Sequence, residues 1–553
     1  MRSWPRRQIF ARGKLNDRVG WLRVGMACLW AVLLMLANHG SWRAVAAPNF
    51  LIILADDLGF GDVGAYRSKV TLPTPHLDRL ASEGMRFTDA HTPSAVCTPT
   101  RYGLLTGRYA WRSALKRGVL NGYSPPLMSP DRLTLARFLK GHGYHTGMIG
   151  KWHLGLGFAL RPEGHRHPIQ GELNLDQTVR WGPNDFGFDE NTILPASLDF
   201  PPYVYLQNQR VTSEPLRRQP KQPFPAFLRE GPIGADFKME SVLDHLMDQA
   251  IGFLENRPSE EAPFFLYVAL TSPHKPVLPH SRFRGRTALG PYGDFVVQTD
   301  DAVGRLLQAL DDQGLSQETV VLFTSDNGSF MRRVTDEDHV EDSTIQGYRP
   351  EHHQANGPLR GTKADIWEAG HRVPFLMRFP PLIPAGSRCD QTVCLTDVFA
   401  TFADLMGRSI PEEAAEDSFS MKALFTDPSK MHERPPVIHH SAAGIFAIRQ
   451  QQWKLVLGSG SGGALCPRGS PLKSPMVCSI WGRTFLSHAI GPKTILRKWP
   501  NCSPPSRPFT RPNKRVGNSQ ELHCRRSPGC PPSLVFRRFQ GLTSVKSTKD
   551  PGR

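Results

Sequence analysis

From Pro48 to about Gly407, short apolar runs alternate with amphipathic stretches, the pattern of an α/β domain with a large, mixed, mostly parallel sheet flanked by helices. Asn49 to Ala55 carries no charge and reads as a strand buried on both faces. Thr74, Pro75 and Gly84 mark the cap, first turn and end of a helix. A second helix follows Pro99, a third spans about Arg132 to Lys140, and a strand covers about His145 to Ile149. Met239 to Glu255 is apolar at helical spacing and leads into Phe264 to Leu270, while Val296 to Leu310 leads into Val320 to Thr324. Strand Pro374 to Arg378 and helix Thr396 to Met406 complete the domain. Residues 157–236, rich in Pro, Arg and Asn, show little periodicity and read as a long insertion on the substrate side. Phe446 to Arg449 and Trp453 to Leu457 begin a small antiparallel sheet that then stops, leaving an unpaired edge.

Four of the apolar strands run directly into polar clusters: Asp56-Asp57, Lys151-Trp152-His153, Ser272-Pro273-His274 and Ser325-Asp326-Asn327-Gly328. In an open parallel sheet, ligands bind in the crevice beyond the carboxyl ends of the strands. Taken singly, Asp56-Asp57 reads equally well as a helix cap and Ser325 to Gly328 as an ordinary turn. Their shared position at strand ends is what points to one cleft.

Charge changes the picture less than its total suggests. The 553 residues carry 67 Lys+Arg against 50 Asp+Glu, a formal net charge of +17. Eight Lys/Arg and one Asp fall in residues 1–47, and seventeen Lys/Arg and two acids in residues 466–553. Residues 48–465 are therefore mildly acidic, which removes the argument for a nucleic-acid partner. With 39% hydrophobic residues, a wholly disordered chain and a collagen-like fibre are excluded. At the N-terminus seven basic residues precede the 14-residue apolar run Val24 to Ala37, and Ala44-Val45-Ala46 follows. That run is shorter than the roughly 20 residues of a membrane span and fits an export signal, with a short membrane anchor as the other reading. Residues 466–553 hold thirteen Pro and five of the nine Cys, with acids abruptly lost. They read as a basic, poorly ordered tail or an out-of-frame translation, which limited proteolysis would trim first; a disulfide scaffold or a polyanion-binding tail are the other readings. The expected organisation is an export signal (1–47), a catalytic domain (48–407), the start of a small subdomain (408–465) and the tail (466–553).

Candidate chemistry centres on the segment Ser94 to Arg108. Cys97 stands just before a helix whose early turns carry Arg101, so helix N–H groups and a guanidinium can converge on an oxyanion. As a lone thiol, Cys97 is as readily a buried structural cysteine. The string Cys97-Thr98-Pro99-Thr100-Arg101, followed four residues later by Thr106-Gly107, resembles the signature of the sulfatase family, and Gly361-Thr362-Lys363 to Glu368-Ala369-Gly370 resembles a second pattern of it. The resemblance covers about residues 48–457 and implies an alkaline-phosphatase-like sheet. It implies that Cys97 is converted to formylglycine, hydrated to a geminal diol, by a formylglycine-generating or equivalent maturation enzyme. It also implies that Asp56, Asp57, Asp326 and Asn327, with residue 97, hold one divalent cation, while Arg101, Lys151, His153, His274 and Lys363 surround the sulfate. In that family pattern one hydroxyl, helped by Asp326, attacks sulfur, His274 with Lys363 protonates the departing alcohol, and His153 takes the proton of the second hydroxyl.

The residue types suit those roles. A sulfate monoester is an anion that repels nucleophiles, so positive charge must be aimed at its oxygens. Three carboxylates and an amide oxygen form a hard oxygen set, suited to Ca²⁺ or Mg²⁺ and not to zinc, with Ca²⁺ the better fit. The implied substrate is a sulfated carbohydrate or aryl sulfate, met outside the cytoplasm. Competing readings are a phosphate or phosphonate ester hydrolase of the same superfamily and a catalytically silent binder of sulfated glycans. His352, His353 and Asn356 read either as leaving-group contacts or as a solvated loop.

Overall fold

The computed structural model describes residues 47–67, 71–222, 227–259, 261–331 and 352–463, and the backbone of strand Val477–Ile480. The expected export signal and the rest of the expected tail, with Cys466, Cys502, Cys524 and Cys530, lie outside the described residues.

Asn49–Asp56 is a central strand, flanked in parallel by Phe264–Pro273 and Thr319–Ser325. His145–Lys151 and then Glu190–Leu194 extend the parallel set beyond Phe264–Pro273. Beyond Thr319–Ser325, Phe375–Arg378 and then Met85–Phe87 pair antiparallel, and Ser387–Cys389 lies parallel to Met85–Phe87 at one edge. Leu206–Gln207 and Arg210–Val211 close the other edge of this ten-stranded mixed sheet.

Because side chains alternate along a strand, Asn49–Asp56 feeds two cores. Phe50, Ile52 and Leu54 join Tyr102, Leu105, Leu139 and Phe402 on one face, contributed by helices Cys97–Thr106, Leu135–Lys140 and Val398–Leu405. Leu51, Ile53 and Ala55 join Leu246, Met247, Leu306 and Leu307 on the other, from helices Val242–Glu255 and Gly290–Asp312. Burial on both faces explains why the strands read as continuous apolar runs.

Several expectations are corrected. The Thr74 hydroxyl does not cap the Pro75–Glu83 helix; it accepts from the Gly64 amide at 2.8 Å and faces Asp78, fastening the loop before the helix. Met239–Ser241 is a 3₁₀ turn before the α-helix Val242–Glu255. Residues 157–236 are not structureless: Glu190–Leu194 joins the main sheet, and Pro215–Gln219 pairs with Gly231–Gly234 in a ribbon of its own. The small antiparallel sheet also runs further than expected. Val437–His440, Phe446–Gln450 and Trp453–Leu457 are followed by Val477–Ile480, which pairs with Trp453–Leu457 and covers the edge expected to be bare. No helix among the described residues is long and apolar enough to cross a membrane.

The small sheet is stitched to the main domain next to Cys97. The Ala95 amide donates to the His440 carbonyl (3.0 Å), Ala364 to Ala95 (2.8 Å) and Ala442 to Ala364 (2.9 Å). Lys363 is thus held between the loop before Cys97 and the small sheet. Behind this seam, Arg449 pairs with Asp89 (2.8 Å) and Glu368 (3.0 Å). His91 lies between Asp89 (2.9 Å) and the His371 Nδ1 (3.0 Å). His371 in turn meets Lys454 at 2.7 Å and stacks on His439, ring centroids 3.9 Å apart.

Burial holds all three of these histidines below their ordinary pKa, so they are neutral in the folded chain. The unfolded chain takes up their protons as pH falls through about 6.5. The stability they contribute is therefore complete above that pH and declines below it, a window separate from the carboxylates. The melting midpoint is expected to fall between pH 6.5 and 5, and less steeply in His439→Phe, which keeps the stack and removes one titrating ring. Equal slopes in the two proteins would contradict this origin.

Candidate active site

Each polar cluster sits where its strand ends. Asp56 is the last residue of its strand, and Asp57 turns the chain away at φ 65°. Lys151 ends the strand His145–Lys151, with His153 two residues on at φ 56°. His274 follows the strand Phe264–Pro273, and Asp326 and Asn327 follow Thr319–Ser325. Lys363 precedes Ala364, at φ 77°. Three non-glycine residues with left-handed backbone around one cluster, Asp57, His153 and Ala364, are strain held by the surrounding fold, which is characteristic of functional sites.

Cys97 is the first residue of helix Cys97–Thr106, which begins before Pro99 and not after it as expected, and every residue of that helix is buried. The helix ends at Gly107, whose φ of 61° and amide bond to the Gly103 carbonyl (2.9 Å) make a left-handed cap. A Cβ there would lie 2.7 Å from the Ala415 Cβ. The Thr106-Gly107 pair is thus a helix stop that fixes the length of the Cys97 helix, and Thr106 adds a 2.7 Å bond to the Tyr102 carbonyl.

The structure brings Asp56, Asp57, Cys97, Arg101, Lys151, His274, Asp326, Asn327 and Lys363 into one buried network, with His153 beside it. Lys151 Nζ donates to both oxygens of Asp56, at 2.7 and 2.8 Å. Arg101 donates to Asp326 Oδ2 through Nε (3.0 Å) and NH2 (2.7 Å), and to the Lys151 carbonyl through NH1 (3.0 Å). Lys363 Nζ lies 2.5 Å from Asp57 Oδ1 and 3.4 Å from the Cys97 Sγ. Asp57 also accepts from Asn327 Nδ2 (2.7 Å), and its Oδ2 is 3.6 Å from His274 Nε2.

Burial disfavours the charged form of Asp56 and Asp57, yet the cationic groups around them, His274 with Lys151 and Lys363, hold both below the ordinary carboxylate range. Burial, reinforced by Asp326, pushes the Cys97 thiol up to about 12. Burial and the charge of Lys151 keep His153 well below its ordinary value, so its ring is neutral. The His153 Nε2 donates to the Leu120 carbonyl (2.8 Å), which leaves Nδ1 as the acceptor, 3.5 Å from Ser197 Oγ.

Two buried oxygens in the cluster, Asp57 Oδ2 and Asn327 Oδ1, have no hydrogen-bond partner. Orphaned buried acceptors among ionised carboxylates are costly unless something positive meets them, so the donor set fits a hard divalent cation. Asp56, Asp57, Cys97 and His274 each offer a ligand atom within 4.8 Å of the others. Two members of the expected set are occupied by other partners: Asp326 by Arg101 and by the Asp57 amide, which reaches its Oδ1 at 3.2 Å, and Asp56 by Lys151 at both oxygens.

His353 and Asn356 are neither solvated nor turned to a leaving group. His353 lies between Asp62 (2.7 Å) and Thr71 (2.7 Å). Asn356 accepts from the Ser329 amide (2.8 Å) and donates to its carbonyl (2.9 Å), bracing the turn that carries Asp326 and Asn327. Ser325 joins that brace by accepting from the Leu58 amide (3.0 Å). A polar strand end was the available signal for Ser325; Asn356 was named with its polar loop, but nothing in the spacing showed that it braces the Asp326 turn.

A family model described as Sulfatase matches residues 48–408. An N-acetylgalactosamine-6-O-sulfatase of Bacteroides thetaiotaomicron is 32% identical over 444 residues, 74% of this chain and 82% of that protein. Arylsulfatase A of Bos taurus is 33% identical over 445 residues, 78% of each chain, and the steryl-sulfatase of Rattus norvegicus is 33% identical over 462 residues, 76% of this chain and 78% of its own. Among solved structures, a sulfatase described with the metabolism of glycosaminoglycans by Bacteroides thetaiotaomicron superposes with a TM-score of 0.67 at 29% identity, covering 79% of this chain and 93% of that one. A structure in complex with a neocarrahexaose gives 0.57 at 26% identity, covering 74% and 84%. With that breadth of match around the Cys97 cluster, the chain belongs to the sulfatase family, enzymes that hydrolyse sulfate esters.

Proposed function

We propose that this enzyme acts outside the cytoplasm on sulfate monoesters of carbohydrates, through a formylglycine derived from Cys97 and one divalent cation, Ca²⁺ in preference to Mg²⁺. The observation that carries the reading is the pair of partnerless oxygens, Asp57 Oδ2 and Asn327 Oδ1, facing a network that ends on the Cys97 sulfur. Asp56, Asp57, Asp326 and Asn327 would hold the cation beside residue 97. The cation and the modified residue would together supply polarisation of the sulfate oxygens and a hydroxyl nucleophile.

The remaining work falls to the chain's own side chains. Lys151 and Arg101, each fixed by two or more hydrogen bonds, orient Asp56 and Asp326 and set a positive field without moving during reaction. Lys363, 3.4 Å from the Cys97 sulfur, would bind the bridging oxygen of the ester. The His274 ring faces its own chain through Nδ1, toward the Lys275 carbonyl, and turns Nε2 to the site, the atom from which a departing alcohol would take its proton. His153, neutral and with Nδ1 as its acceptor atom beside the Ser197 hydroxyl, would accept a proton at residue 97.

The test is sulfate release from a panel of sulfated mono- and oligosaccharides and 4-nitrophenyl sulfate, using protein produced with a maturation enzyme. EDTA should abolish release and Ca²⁺ restore it. Full activity after exhaustive chelation, or faster hydrolysis of 4-nitrophenyl phosphate than of the sulfate, would overturn the reading.

A further inference from the structure

Beside the catalytic cluster stands a wall of cations and aromatic rings that no role above uses. Phe200 packs 6.0 Å from the His153 ring, centroid to centroid. The Arg229 guanidinium lies 3.9 Å over Phe200 and 5.2 Å from the Phe227 centroid. Lys275, the residue after His274, places Nζ 4.3 Å over the same Phe227 ring and 5.4 Å from Phe330, which follows the Asp326 turn. Lys275 is close enough to Asp57, Lys363, Asp199 and Arg229 for their charges to act on it. The wall therefore borders both His153 and His274, the residue proposed above to protonate the departing alcohol.

Its charge is not balanced. Arg229 is pinned by Asp199, through NH1 to the carbonyl (3.1 Å) and to the carboxylate. Its Nε and NH2 make no hydrogen bond among the described residues, and its side chain is 42% exposed. Lys275 has no carboxylate within 4 Å among the described residues. Two cations against one carboxylate leave one positive charge, held over aromatic faces that stabilise it without neutralising it. A guanidinium edge and an ammonium side by side suit an oxyanion.

Resting on the sulfatase reading, we propose that Lys275 and Arg229 form an anion subsite for the leaving group, so that the preferred substrate is a sulfated sugar bearing a second negative group, a carboxylate or another sulfate, close to the ester that is cleaved. The aromatic rings are the platform that fixes the two cations, and Asp199 keeps the guanidinium from turning away.

Binding tests this without turnover. In Cys97→Ala protein, calorimetry would compare a monosulfated disaccharide with no other charged group, the same sugar joined to a hexuronate, and a disulfated monosaccharide. Either sugar with a second negative group is expected to bind at least about tenfold more tightly than the singly charged one; the carboxylate and sulfate arms tell which source of the second charge is used. Lys275→Gln and Arg229→Gln should each remove most of that preference, while Lys275→Arg retains it at an unchanged melting midpoint. Equal binding of all three sugars, or a preference that survives the Lys275→Gln/Arg229→Gln double variant, would overturn the subsite. Absence of sulfate release by the mature wild-type enzyme would instead count against the sulfatase reading, and the two results are read from separate experiments.

Discussion

Cys97→Ala is expected to lower sulfate release by roughly three orders of magnitude or more, the scale on which enzymes lose rate when a covalent nucleophile is removed. The fold should not change. The sulfur makes only weak contacts, 3.8 Å to Asp56 and 3.4 Å to Lys363, and the helix it opens is fixed by Tyr102, Leu104, Leu105 and the Gly107 cap. Melting within a degree or two of the parent, with activity at background, separates loss of chemistry from loss of structure. Cys97→Ser should be nearly as poor, because one hydroxyl attacks but no second hydroxyl is present to expel the sulfate. Substantial activity in either variant would mean that the nucleophile lies elsewhere.

Asp326→Ala should damage both stability and activity. The carboxylate accepts two bonds from Arg101 and lies 3.8 Å from Lys151, with all three side chains fully buried. Removing it leaves a buried guanidinium facing Asp56 at 3.7 Å as its remaining carboxylate. Breaking one side of a buried ion pair costs about 3 to 5 kcal/mol, so unfolding by denaturant should show a loss of that size. Asp326→Asn keeps the shape and one acceptor, and should recover part of the stability while leaving turnover low. If Asp326→Ala unfolded like the parent, the Arg101–Asp326 pair would not be the electrostatic anchor described above.

Local signals made most of the sheet legible. Asn49 to Ala55, Phe264 to Leu270 and Val320 to Thr324 are uncharged because helices cover both faces, and the polar residues that follow them stand out for the same reason. Glu190–Leu194 escaped because a five-residue strand reading ENTIL has no periodicity of its own; Met148 and Leu206 beside it make it a strand. Val477–Ile480 was hidden in a basic, Pro-rich setting, and its register is supplied by Trp453–Leu457.

The candidate site divides along similar lines. Its residues stood at strand ends or in the Cys97 and Lys363 motifs, and a sequence marks both. Their partners did not. Arg101 meets Asp326 across 225 positions, and Lys363 meets Cys97 across 266. The histidine seam joins His91, His371 and His439, three histidines in unrelated segments. Arg229 and Lys275, from separate segments, meet over the Phe227 ring. Pairings over such distances follow from topology and leave no local periodicity.

The central claim is that residue 97 of the active protein is not cysteine. A peptide mass spectrum across Ser94 to Arg108, from protein made with a maturation enzyme, tests it directly. The expected result is a peptide about 18 Da lighter than its cysteine form, rising in abundance in step with sulfate release. A fully active preparation in which this peptide carries only the unmodified thiol would contradict the account.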